Sequence, residues 1–242
     1  MKFGSLILTL SAAAMLAACA SPTSRFYTLG GGDARPMPTA QASFYFELAP
    51  VDVPQQVTKN QLVVQTSPAQ VRVLEDERWA SLPGDEVRRA LSADLTQQLG
   101  AIDVYGTPHP ESVPVYRVKV NVQRFESWPG AQALIDAVWS VRAAGSQTVL
   151  TCRTVSQQPV AAGYDALVAG HRKAVDQLAA EIAAGVRTVS AAPAGAPSAP
   201  AKVKGDTATR VAASPVLPCP VSNASNASSA SNASAPVAAQ AK

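Results

Sequence analysis

Histidines and paired acidic residues, the side chains best suited to catalysis and metal binding, are few in this chain and poorly placed for either task. His109 lies between two prolines in a predicted loop. His171 falls on the apolar side of a predicted helix, where a buried structural histidine is the commoner outcome. Neither has the nearby Cys, His or acidic residues that a metal site or catalytic site needs. The consecutive acids of residues 75–77 suit a solvated turn better than two carboxylates facing one substrate. The sequence therefore disfavours an enzyme and predicts no metal site.

Cys19 is the residue with the clearest chemical context. A positively charged start and an apolar run at residues 6–16, followed by small residues up to Ala18, form the pattern of a secretory signal peptide cleaved between Ala18 and Cys19. Small residues directly before a cysteine resemble the lipobox of bacterial lipoproteins, in which the thiol receives diacylglycerol and the new amine a fatty acyl chain such as palmitate. An ordinary secreted protein or an uncleaved anchor helix is the alternative, although the apolar run is too short to cross a bilayer. We expect a covalent lipid on Cys19, and no other cofactor, to hold the mature protein to a membrane.

Residues 26–29, with the sequence Phe-Tyr-Thr-Leu, lie close to this predicted anchor. Seven residues separate Cys19 from Phe26, which is at most about 25 Å of extended chain. Because termini are ordered only when the domain holds them, we expect a short edge strand here, with a contact surface for a partner as the alternative. Ala20 and Ser21 stand where an aspartate commonly retains lipoproteins in the inner membrane. By resemblance to those sorting rules, the outer membrane is favoured, with the protein facing the periplasm.

The composition indicates one exported globular domain. The formal net charge is only +3 at pH 7, and there is no clustered basic face of the kind that binds nucleic acid. Between the signal peptide and a low-complexity end, roughly 150 residues remain for a single domain. Cys152 and Cys219 would lie in an oxidising compartment, and the sequence leaves open whether they pair with each other, pair between molecules or stay free. The oligomeric state is equally open, a homo-oligomer included.

The hydrophobic periodicity predicts an α+β fold. Amphipathic helices are predicted at residues 85–98 and 164–186. The predicted strands are residues 43–54, 61–66, 70–74, 102–105, 116–125, 133–141 and 147–155. The alternation slips at Arg124, so a bulge or the end of the strand is expected there. A mostly antiparallel sheet packed against two helices, a small two-layer sandwich, accommodates this order.

These patterns divide the chain into four parts. Residues 1–18 are the signal peptide, and residues 19–42 are the lipidated N-terminal segment and linker. Residues 43–190 form the α+β domain. Residues 191–242 are rich in Ala, Pro and Ser and contain no aromatic residue, so this tail is predicted to be disordered.

Arg78 and Trp79 are the candidate partner-binding residues, and both are predicted to lie in a loop just before the first helix. Arg78 could stack on an aromatic ring or present its guanidinium to an acidic partner. Packing in the core is the alternative for Trp79, as it is for Trp139, because large aromatic side chains dominate core energetics.

The order of these features resembles a known family, the ABC-type transport auxiliary lipoproteins of the paraquat-inducible type. The segments that carry the resemblance are Cys19 and residues 26–29, 51–54, 61–64, 78–80, 87–99, 118–125 and 164–182. The resemblance covers roughly residues 19–187. It implies a small α+β sandwich with a mostly antiparallel sheet and two helices.

The resemblance also implies a role. Members of this family are similar in role to the outer-membrane component of systems whose MCE-domain proteins carry lipids between the two membranes of Gram-negative bacteria. The implied partners are a periplasmic MCE-domain protein, the membrane through the lipid anchor, and the phospholipid that is moved. An assembly or chaperone lipoprotein for another envelope complex is the alternative, because fold does not determine function.

Overall fold

The computed structural model describes residues 23–30, 43–192 and 217–220. The predicted signal peptide, its cleavage point at Ala18 and Cys19, residues 31–42 of the linker and most of the predicted tail lie outside the described residues. In chain order the elements are β1 (Arg25–Tyr27), β2 (Tyr45–Leu48), a 3₁₀ turn (Gln55–Val57), β3 (Gln61–Ser67), β4 (Gln70–Trp79), α1 (Pro83–Leu99), β5 (Val115–Trp128), β6 (Gln132–Ala143), β7 (Leu150–Pro159) and α2 (Tyr164–Ala191).

The strands form two sheets. One has the order β2-β5-β6-β7, and the other has the order β1-β4-β3. β2 pairs with β5 and β1 pairs with β4 in parallel, whereas the three remaining pairings are antiparallel. The predicted α+β fold with two helices is therefore confirmed, including the β3–β4 hairpin and the β5–β6–β7 meander. The strands divide between two sheets, where the periodicity indicated a single one.

The core lies between the four-stranded sheet and the helices. The alternating apolar residues of β5 and β6 face inwards, and Val120 and Trp139 are both almost fully buried. The register of β5 against β6 shifts between Val122 and Arg124, which is the bulge that the sequence predicts. The helix α2 approaches this sheet so closely that a Cβ atom at Gly185 would lie 2.7 Å from the Trp139 ring. Only a glycine allows this contact.

Four elements differ from the predicted ones. The strand predicted at residues 43–54 is limited to Tyr45–Leu48, and the strand predicted at residues 70–74 continues to Trp79. The helix α2 continues to Ala191, about one turn beyond the expected end. Residues 102–105 form only an isolated bridge between Phe46 and Asp103 and no strand. The Phe46 amide donates to the Ile102 carbonyl and the Val104 amide donates to the Phe46 carbonyl, so this segment lies along β2. The Leu48 amide then donates to the Asp103 carboxylate instead of continuing the backbone ladder, which stops after one bridge.

The domain has two ends, defined by the turns of its meander. The β5–β6 turn at residues 129–131 and the start of α2 lie at the proximal end. The β6–β7 connection at residues 144–149 and the end of α2 lie at the distal end. The helix α2 has 28 residues and therefore spans about 42 Å between the proximal and distal ends. Neither helix of the described ranges has the combination of length and hydropathy that a membrane span requires.

A disulfide joins Cys152 of β7 to Cys219, with the two Cα atoms 5.7 Å apart. The sequence left the pairing of these cysteines open. Leu217 packs against the main core, so residues 217–220 are an ordered part of the tail for which the sequence predicts disorder. The bond brings residues far apart in the chain together at the edge strand β7.

Candidate functional site

The predicted partner-binding pair, Arg78 and Trp79, does not lie in a loop. Both residues belong to β4, and Trp79 is only 2% exposed. Its ring packs edge-to-face against Phe125, with the ring centroids 6.0 Å apart. The half-buried Arg78 donates a hydrogen bond from its Nε to the carbonyl of Glu75 at 2.7 Å. Trp79 is therefore a core residue, as its alternative interpretation held, and it is not available to a partner.

His171 is a buried structural histidine. Its ring is stacked on Phe125 at 4.2 Å, and its Nε2 lies 2.8 Å from the Ser127 hydroxyl. Burial lowers the pKa of His171 to about 3, so the imidazole is neutral at physiological pH. Within the described ranges, no three Cys, His, Asp or Glu side chains are close enough to share a metal ion.

The carboxylate of Glu86, in the first turn of α1, holds the N-terminal segment against the domain. It accepts hydrogen bonds from the Thr28 hydroxyl at 2.6 Å, from the Leu29 amide at 2.8 Å and from both the amide and the hydroxyl of Ser81. Arg89 adds a salt bridge at 3.2 Å. Burial alone would raise the pKa of Glu86, but these hydrogen bonds outweigh it and the pKa lies below its ordinary value. The sequence marks Glu86 only as a helix-start acid.

Residues 25–30, here called the N-terminal strap, fix where the chain enters the domain. Arg172 of α2 donates a hydrogen bond to the Thr28 carbonyl at 2.7 Å. Arg25 contacts Asp165, in the first turn of α2, at 3.0 Å. The predicted edge strand is thus confirmed, with Tyr27 buried and Phe26 66% exposed. The chain upstream of Arg25 leaves from the proximal end.

A groove of about 440 Å³ lies on the opposite half of the molecule, on the outer face of the four-stranded sheet. We call it the distal groove, and its lining residues are Glu47, Ala49, Tyr105, Arg117, Val118, Lys119, Ser140, Arg142 and Val149. On β6, ten residues separate Gln132 at the proximal end from Arg142 in the groove, which is about 33 Å. The groove therefore lies far from the point where the N-terminal strap enters.

The floor of the distal groove carries excess positive charge. Glu47, Arg117 and Arg142 are register partners across β2, β5 and β6. Arg117 forms a salt bridge with Glu47 at 2.8 Å. Within the part of the chain that the structure describes, Lys119 and Arg142 have no acidic partner. Like charges directly opposite each other on a sheet are destabilising, so the Arg117 and Arg142 pair favours an anion in the groove.

The upper wall of the groove is apolar. Tyr105 is 46% exposed and Val149 is 43% exposed. The guanidinium of Arg88 lies over the Tyr105 ring, 5.3 Å from its centroid. Asp103 in turn accepts hydrogen bonds from Arg88 and from the Tyr105 amide, so the ring is held in place. A preformed cleft with cations on one side and an aromatic ring on the other can hold a carboxylate or phosphate together with adjoining hydrocarbon.

Sequence reasoning did not find the distal groove. The alternating sequence of β5 marks its outward residues only as the polar side of an amphipathic strand. That Arg117 lies opposite Arg142 could have been predicted from the sequence. Pairing residues outwards from the turn at residues 128–130, with a shift of one residue at the predicted bulge, brings the two together. The parallel pairing that brings Glu47 beside Arg117 leaves no such local signal, because these residues are distant in sequence.

Comparison with known proteins identifies the family. The family model of the ABC-type transport auxiliary lipoprotein component matches residues 27–183. No curated protein matches the sequence. A crystal structure of an uncharacterized protein is similar at 22% identity and a TM-score of 0.55, covering 68% of this chain and 99% of that one. Protein XCC0632 from Xanthomonas campestris is similar at 18% identity and a TM-score of 0.48, over 66% of this chain and 90% of that one. The family model spans more than half of the sequence, and the chain belongs to the ABC-type transport auxiliary lipoprotein family.

Proposed function

We propose that this protein is a non-enzymatic outer-membrane lipoprotein that faces the periplasm and docks the MCE-domain protein of an ABC-type intermembrane lipid transport system. Family membership supports a lipoprotein role in ABC-type transport. The anchor is the lipid on Cys19, which lies outside the described residues. The observation that carries the docking role is the distal groove, with its unpaired cations and exposed aromatic wall.

The position of the strap supports this arrangement. Six residues separate Cys19 from Arg25, so the lipid lies within about 21 Å of the proximal end. The distal groove is then directed away from the membrane. A partner that spans the periplasm would meet this end of the domain first.

The chemistry of the groove defines the contact that the partner offers. With three cationic side chains and the single carboxylate of Glu47, the groove complements an acidic segment of the partner. The wall formed by Tyr105 and Val149 accepts an apolar side chain beside that acid. An exposed charge alone contributes little affinity, so the apolar contact supplies much of the binding and the charges supply orientation.

The anchor has its own test. The Cys19→Ala variant should leave the membrane fraction after a high-salt wash, while the unmodified protein should remain there. Retention of the variant in the membrane at high salt would contradict a lipid anchor on Cys19.

The docking role is tested by affinity purification of the tagged, lipidated full-length protein from detergent-solubilised envelopes after brief crosslinking, with partners identified by mass spectrometry. We expect recovery of an MCE-domain protein, and its loss in the Arg142→Glu variant. Lys173→Glu, a matched charge reversal on the exposed face of α2, should retain the partner. Recovery of a different envelope complex, without an MCE-domain protein, would overturn the proposal in favour of an assembly lipoprotein.

A further inference from the structure

The tip of the β3–β4 hairpin extends beyond the proximal end of the domain, where Val64 of β3 packs against Ala133 and Leu167. Arg25, which contacts the start of α2, is the register partner of Glu77 in β4. From that level β4 runs back to Gln70, where it pairs with Ser67 at the hairpin turn. Six residues of β3 cover this span, or about 20 Å. The tip of the hairpin therefore lies about 20 Å beyond Arg25.

The surface of this tip is apolar for an exposed strand. Val71 and Val73 are 46% and 37% exposed. The two alternate with Arg72, the one charged residue between residues 61 and 74. Valines at alternate positions share one face of a strand, and the arginine between them points the other way. A water-exposed hairpin edge usually carries more charge than this.

The distances to the tip and to the lipid anchor agree. Cys19 can lie at most about 21 Å from Arg25 along the extended chain, and the hairpin tip lies about 20 Å from the same residue. β1 is parallel to β4, so the chain enters β1 from the side towards which the hairpin points. A chain extended from Arg25 in the direction of the hairpin would place the lipid on Cys19 at about the level of the tip.

We propose that the β3–β4 tip is a membrane-contact element that places Val71 and Val73 in the headgroup layer of the anchoring bilayer. This inference rests on the proposed lipidation of Cys19. Apolar side chains at the boundary between headgroups and acyl chains gain from burial, while Arg72 reaches lipid phosphates. Two contacts, the lipid and the hairpin, fix the tilt of the domain and keep the distal groove directed into the periplasm.

The test uses the full-length lipidated protein in vesicles of phosphatidylethanolamine and phosphatidylglycerol. Cys19 is acylated and the other two cysteines are joined, so a Val71→Cys variant offers a single reactive thiol for an environment-sensitive nitrobenzoxadiazole label. Val149→Cys, at a valine of matched exposure in the distal groove, is the control. We expect the fluorescence at position 71 to rise several-fold on reconstitution and to be quenched by lipids carrying a headgroup nitroxide. The fluorescence at position 149 should stay unchanged.

Three results would overturn the inference. If the protein floats with the vesicles and the label at position 71 stays water-exposed, the hairpin does not contact the membrane, and the lipid anchor stands. A label that is shielded without quenching by nitroxide lipids would assign the tip to a protein contact. If the protein does not float with the vesicles at all, Cys19 does not carry the lipid, and the membrane-contact inference is wrong as well.

Discussion

Replacing Arg142 by glutamate should separate binding from stability. Arg142 faces Arg117 across β5 and β6, so the present pair is repulsive. The Arg142→Glu variant would place a carboxylate opposite Arg117. Opposite charges in such a pair contribute roughly 0.2–1 kcal/mol, and like charges are destabilising. Arg142 is exposed, and Glu47 already forms a salt bridge with Arg117. We therefore expect a gain of only about 0.5 kcal/mol in the free energy of unfolding.

Thermal and urea unfolding of the lipidated protein in detergent measure this gain. A rise of about 1–2 °C in Tm corresponds to it for a domain of this size. The rise should shrink in 1 M salt, where charges are screened beyond about 3 Å. The neutral Arg142→Gln variant is the control, since it removes the repulsion without adding an attraction and should give a smaller gain.

The same variant should lose the proposed periplasmic partner while becoming slightly more stable. Loss of function with retained or increased stability is typical of residues that are kept for binding at a cost in folding energy. A fall of about 1 kcal/mol or more in stability would show that Arg142 has a structural role. Undiminished capture of the partner would refute the assignment of the distal groove as the docking site.

The remaining predictions concern the strap, the core and the tail. Glu86→Gln should lower the free energy of unfolding by about 2 kcal/mol and speed hydrogen exchange at the Leu29 amide; unchanged exchange would contradict the role of Glu86. His171 has a folded pKa of about 3 against an ordinary value of 6.5, so only the unfolded chain binds its proton between these values. Stability should fall with decreasing pH in this window by up to about 1.4 kcal/mol per unit, and His171→Phe should flatten the slope in urea titrations at several pH values. If the slope persists, His171 is not its cause. Removing the Cys152–Cys219 bond by a double alanine change should cost about 2–4 kcal/mol in thermal unfolding, and an unchanged Tm would show that the bond does not stabilise the domain.

The elements that the sequence predicts well are those with local signals. In β5, strict alternation marks the strand and the misplaced Arg124 marks its bulge, because side chains on a strand repeat every two residues. The end of β4 lacks this signal, since the four residues before Trp79 are all charged. The sequence therefore predicts a loop at Trp79, whereas pairing of β4 with β1 extends the strand through this residue.

The candidate site depends on contacts between distant parts of the chain. The distal groove needs β2 beside β5, and it needs the loop that carries Tyr105 to be fastened by Asp103. The disulfide likewise joins residues separated by 67 positions, and spacing alone does not determine cysteine connectivity. Such tertiary pairings have no periodic signature, so the sequence predicted the sheet and its hairpins but not the surface they build.

Site-specific photocrosslinking in intact envelopes tests the central claim most directly. A benzophenone amino acid at Tyr105, on the wall of the distal groove, is compared with one at Val155, an exposed valine on the same sheet outside the groove. The account predicts an adduct with an MCE-domain protein from position 105 and none from position 155. An adduct from position 155 alone, or a position-105 adduct with an unrelated envelope protein, would contradict it.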